Sequence, residues 1–118
     1  MKALIVVSNR FWGLAVREVA RNCGFDVEMV GHGEALVGFR RLNPDVIVVC
    51  EYESESEIFN GESQGVKIFR LLKEIIAPGQ VLIGAGFVGN GDGNHFLRMP
   101  FSEKELLLSI KEQSRKEG

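Results

Sequence analysis

The sequence predicts an α/β fold: one doubly wound, five-stranded parallel sheet with helices on both faces. Three observations predict it. Short β-branched runs such as ALIVV (3–7), VIVVC (46–50) and QVLIG (80–84) show no polar alternation, the mark of strands covered on both faces. Segments with apolar residues at helical spacing lie between such runs. Glycine and proline mark the breaks between the two kinds of segment. Strands alternating with helices imply parallel neighbours joined by crossovers. At 118 residues the chain reads as one domain, 1–118, long enough to build its own core.

ALIVV is the first strand. Ser8 or Asn9 then caps a helix whose apolar positions are Leu14, Val16, Val19, Ala20 and Cys23, with Arg10, Arg17, Glu18 and Arg21 outward. Gly24 stops that helix. DVEMV (26–30) alternates as a half-exposed strand. His32 and Gly33 turn the chain into a short helix carrying Leu36, Val37 and Phe39, which ends near Asn43 because Pro44 cannot continue it. VIVVC is again a buried strand. The segment EYESESEIFNGESQ (51–64) carries Glu51, Glu53, Glu55, Glu57 and Glu62 and no basic residue, and reads as a solvated acidic loop.

From Gly65 to Ile76 a helix turns Val66, Ile68, Phe69, Leu72, Ile75 and Ile76 toward a core, until Ala77-Pro78-Gly79 breaks it. QVLIG is the next buried strand, and HFLRM (95–99) a short last one. Ser102 with Glu105 forms a capping box opening a final helix, with Leu106, Leu107 and Ile110 inward. The tail after Glu112 is expected to fray.

A net charge of −2 gives no electrostatic reason to expect nucleic acid or an anionic membrane as a partner. No apolar run reaches membrane-spanning length, and Met1-Lys2-Ala3 leads straight into a strand. Cys23 and Cys50 lack disulfide or zinc spacing and read as reduced, packed thiols of a cytoplasmic protein. His32 and His95 have no acidic or thiol partner at ligand spacing, so no metal site is expected.

In a doubly wound sheet a ligand site lies beyond the carboxyl ends of the strands, which here offers Ser8, Asn9, Cys50, Glu51, Gly84 and Met99. VLIGAGFVG (81–89) contains G-x-G-x-x-G at Gly84, Gly86 and Gly89. A dinucleotide site needs a helix to open directly after the glycines, with its N-terminus on the pyrophosphate. FVGNGDGN (87–94) has no helical period, and too little chain follows for a second nucleotide-binding half. The glycines are read as a close turn over the sheet edge, and no cofactor is expected. Trp12, beside Phe11, is either a partner-binding anchor or, with Phe11, a staple holding the first helix to the strand ends.

Taken together, LIVVSN (4–9), PDVIVVC (44–50), GVKIFRLLKE (65–74) and FLRMPFSEKELL (96–107) resemble the first strand, third strand, third helix and final strand–helix step of the receiver domain of two-component response regulators. The resemblance spans nearly the whole chain and implies a flavodoxin-like sheet of order 2-1-3-4-5. It also implies a phosphorylation site, and here the residues depart from the family. Where a receiver has an acidic pair for Mg²⁺, this chain has Ser8 and Asn9. Where it has the nucleophilic aspartate, this chain has Cys50. The hydroxyl position matches Gly84, the phosphoryl-pairing lysine matches Met99, and the switch tyrosine matches Phe96. Glu51, one step past the acceptor, points to the other sheet face unless a bulge re-aims it.

The interval after Cys50 is longer than the family's and that after Gly84 shorter, so the fourth helix is expected to be shortened or absent. Phe87 and Val88, residues of the acidic loop, or another chain would then cover the exposed sheet. The resemblance thus implies a degenerate pseudo-receiver, not an enzyme. Its expected role is a phosphorylation-independent interaction module in signal transduction, meeting another signalling protein or itself through Trp12, Glu51, Glu53, Glu55, Glu57 or Phe87. Two alternatives stand beside it: a nucleotide or anion binder using loop 84–93, and a purely structural dimerisation module.

Overall fold

In the computed structural model of the protein, which describes residues 1–50, 64–86 and 96–117, five strands form one parallel sheet in the order β2-β1-β3-β4-β5. The strands are β1 (Lys2–Val6), β2 (Asp26–Val30), β3 (Val46–Cys50), β4 (Val81–Gly86) and β5 (Phe96–Arg98). Among the described residues four α-helices accompany them: α1 (Arg10–Asn22), α2 (Ala35–Leu42), α3 (Gln64–Ile75) and α4 (Glu103–Glu117). A 3₁₀ turn, His32–Glu34, leads into α2.

Strand position explains strand composition. β1, β3 and β4 are central, and their unbroken apolar runs are buried almost end to end. β2 lies at one edge and is half-buried along most of its length, as its alternation predicts. Successive residues of the central strands feed two opposite cores. Ile5, Val48, Cys50, Ile83 and Ala85 pack with Val16 and Ala20 of α1 and Leu106 of α4. Leu4, Val6, Ile47, Val49 and Leu82 pack with Phe39 of α2 and with Phe69 and Leu72 of α3.

The caps are local chemistry. Asn9 is the N-cap of α1, its side-chain oxygen accepting from Phe11 N–H (3.0 Å) and Trp12 N–H (3.3 Å). The capping box of α4 closes from both sides: Ser102 N–H donates to Glu105 Oε1 (3.0 Å) and Glu105 N–H donates to Ser102 Oγ (3.2 Å). Gly24, at φ 93°, ends α1 in the left-handed region, and Asn43, at φ 49°, does the same for α2.

Each helix buries a narrower stripe than the sequence suggests. Leu14, Ile75 and Leu107, expected to face a core, are exposed, and Val37 of α2 is exposed at 68%. A helix lying on one sheet face covers only the residues aligned with its axis of contact, such as Gly13, Val16 and Ala20 in α1. Helix α4 continues past Glu112 to Glu117. The acidic segment 51–63 and the interval 87–95, where the shortened or absent fourth helix was expected, lie outside the described residues.

Candidate functional site

The carboxyl ends of the strands bring most of the expected site positions to one edge. The register pairs Val6 with Val49 and Cys50 with Ala85, and Met99 N–H donates to Gly86 O at 2.8 Å. The tip of β1, the end of β3 and the β4–β5 exit are therefore neighbours. Ser8 and Asn9 follow β1 at the surface. Asn9 already spends its side-chain oxygen on the helix it caps.

Beneath that surface the edge is apolar. Cys50 is fully buried, Ala85 is fully buried and Met99 is 5% exposed, all in the core shared with α1 and α4. One position differs from the sequence reading. Gly84 pairs with Val49, whose side chain belongs to the opposite core, whereas the residue set beside Cys50 is Ala85. A one-residue step along a strand changes the face, so Ala85 rather than Gly84 occupies the place next to the thiol. Neither residue has a hydroxyl. Phe96, half-buried at the start of β5, pairs with Gly84.

His32 is a neighbour of this edge that sequence spacing does not reveal. Its Nε2 lies 3.3 Å from the Cys50 carbonyl oxygen, to which it donates when the proton is on that nitrogen. Only the parallel register of β2, β1 and β3 brings the end of β2 to the end of β3. Among the described residues no group of three or more His, Cys, Asp or Glu could hold a metal ion. The second thiol, Cys23, lies at the end of α1, with Sγ 3.7 Å from the Glu103 carbonyl oxygen. Burial, then the Glu103 carboxylate, push its pKa up, the opposite of what a reactive thiolate requires. Glu103 is itself held below the ordinary carboxylate range, first by the Asn22 amide donating at 3.1 Å.

The two members of the aromatic pair differ in burial. Trp12 is half-buried and packs against the core, above a small apolar cavity shared with Val16, Met99 and Phe101. Phe11 meets it in a T-shaped contact, centroids 5.0 Å apart, and is itself 71% exposed. Gly86 ends β4 within the described residues. Glu51, Glu53, Glu55, Glu57, Phe87, Gly89 and His95 lie outside them.

No family model matches the sequence, and no curated protein matches it. Solved structures do. The chain is similar to the signal receiver domain assigned to a LuxO repressor protein from Vibrio parahaemolyticus, with TM-score 0.69 and 16% identity over 98% of this chain and 91% of that one. It is also similar to the bacteriophytochrome response regulator AtBRR, with TM-score 0.67 and 14% identity over 95% of this chain and 91% of that one. The pseudo-receiver domain of the CikA protein matches with TM-score 0.62 and 18% identity, over 93% of each chain. Sheet order, element succession and these likenesses agree: the chain has the CheY-like receiver fold.

Proposed function

We propose that the protein is a receiver-fold interaction module of signal transduction that works without phosphotransfer and is not an enzyme. The observation that carries this reading is the packed edge formed by Cys50, Ala85 and Met99. Phosphotransfer to a receiver requires an accessible carboxylate as nucleophile, a cation to meet the phosphoryl oxygens, and oxygen ligands for a divalent ion. At the matching positions this edge offers a buried thiol, a methyl group and a thioether. Ser8 and Asn9, neutral and at the surface, add no carboxylate.

A phosphoryl group switches a receiver because it contacts two conformations differently. With those contacts removed, the fold holds one conformation, and its surfaces meet a partner signalling protein in that state. A cytoplasmic setting accords with the reduced thiols, and no described helix is long and apolar enough to cross a membrane.

The test is incubation of the intact chain with Mg²⁺ and a small acyl-phosphate donor, and separately with Mg²⁺ and a beryllofluoride mimic. Mass spectrometry should find no phosphoryl adduct, and the melting temperature should stay where it was. A bound mimic at a hundred times its dissociation constant would add about 2.7 kcal/mol. Either an adduct or a Mg²⁺-dependent rise of that size rejects the proposal.

A further inference from the structure

β1 and β2 end side by side: Val6 pairs with Val30, and Val7 N–H donates to Val30 O at 2.9 Å. The helices that follow them then part, α1 to one core and α2 to the other. A cavity of about 510 Å³ opens there, bounded by the start of α1, the end of β2 and the outer side of α2. It lies at the carboxyl end of the sheet, the end at which doubly wound folds bind small molecules. Its volume falls within the roughly 300–1,000 Å³ of small-molecule sites. It shares no residue with the packed edge of Cys50, Ala85 and Met99.

The lining has an apolar part and a charged part. Val7 is buried and Met29 and Val30 are half-buried. Arg10, the first residue of α1, is exposed and has no hydrogen-bond or ion-pair partner among the described residues. Glu34, in the turn before α2, accepts from Gly31 N–H through Oε1 at 3.1 Å, and among the described residues no donor meets its Oε2. Arg41 also borders the cavity, but its guanidinium is spent on Glu28 and that pair is neutral. What remains is one guanidinium and one carboxylate, brought by different elements to the same cavity and not joined to each other.

We propose that this cavity binds a small zwitterion of the amino-acid class. Its carboxylate would lie on the Arg10 guanidinium, whose fork of N–H donors suits a planar anion. Its ammonium would donate to Glu34 Oε2, and its carbon frame would cover the apolar lining. The two unpaired charges select this class over its rivals. An anion alone would bring like charge to Glu34, a cation alone would do so to Arg10, and a neutral apolar molecule would use neither. A bound zwitterion ties the start of α1 to the turn before α2, joining elements that pack on opposite faces of the sheet. This site does not depend on the phosphotransfer-free reading above, and either can fail alone.

The experiment is isothermal titration calorimetry of the intact chain, paired with amide chemical shifts. The probes are leucine, a series of ω-amino acids that varies the separation of the charges, and the single-charge analogues isocaproate and isoamylamine. At least one zwitterion should bind, with the acid and the amine each weaker by about tenfold or more, and should shift the amides of Met29, Gly31 and Gly38. Arg10→Gln removes the cation at an exposed side chain, and Glu34→Gln removes the anion while keeping an acceptor for Gly31 N–H. Each should weaken the zwitterion by about tenfold or more with circular dichroism unchanged, and either variant suffices if the other does not fold. Three outcomes overturn the proposal: no zwitterion binding at millimolar concentration, isocaproate binding as tightly as leucine and the ω-amino acids, or affinity that both folded variants leave unchanged.

Discussion

At Gly13 a side chain has nowhere to go. A Cβ built there would lie 2.7 Å from Val7 Cγ1 and 3.2 Å from Met29 Sδ, because α1 crosses the β1–β2 pair at close range. The neighbour, one residue past the end of β1, is a stiff, buried valine rather than the end of a flexible chain. Gly13→Ala should therefore lower stability by about 1–3 kcal/mol despite the better helix propensity of alanine, as read from denaturant midpoints. The sequence shows a glycine within a helical period and no reason for it, since the reason belongs to another element. Cys50 illustrates the same division. Its place at the end of a buried strand is legible from VIVVC, but its neighbour Ala85 and the His32 ring at its carbonyl are set by register.

Among the elements, helix ends were the most legible features, because a cap is chemistry between residues a few positions apart. Asn9→Ala removes the acceptor for Phe11 and Trp12 N–H and should cost about 1 kcal/mol, measured by thermal or denaturant unfolding. Asn9→Asp keeps an acceptor and adds a charge that favours the helix N-terminus, so it should retain or improve stability. Helix faces were less legible. Apolar residues such as Leu14 and Leu107 fit the helical period, yet the stripe that meets the sheet excludes them. Periodicity identifies an amphipathic helix, but the angle at which it lies on the sheet decides which of its apolar residues are covered.

The whole molecule stands on two cores that share one sheet. Leu72 is fully buried beneath α3 on one face, and Leu106 is 1% exposed beneath α4 on the other. Leu72→Ala and Leu106→Ala should each cost about 2–5 kcal/mol. Because alternate residues of β1, β3 and β4 belong to both layers, each variant should still unfold in one transition, with far- and near-ultraviolet circular dichroism coincident. Separate transitions for the two faces would contradict a shared core.

By itself the sequence determined the class of fold, the succession of its elements and the capping of its helices. These follow from periods and short-range hydrogen bonds, which are written within a few consecutive residues. The strand order 2-1-3-4-5 followed from the sequence only through its resemblance to receivers. Tertiary structure alone decided which residue stands beside Cys50 and which apolar side chains stay exposed. Those depend on register and crossing geometry, where the energy of a contact is shared between residues far apart in the chain.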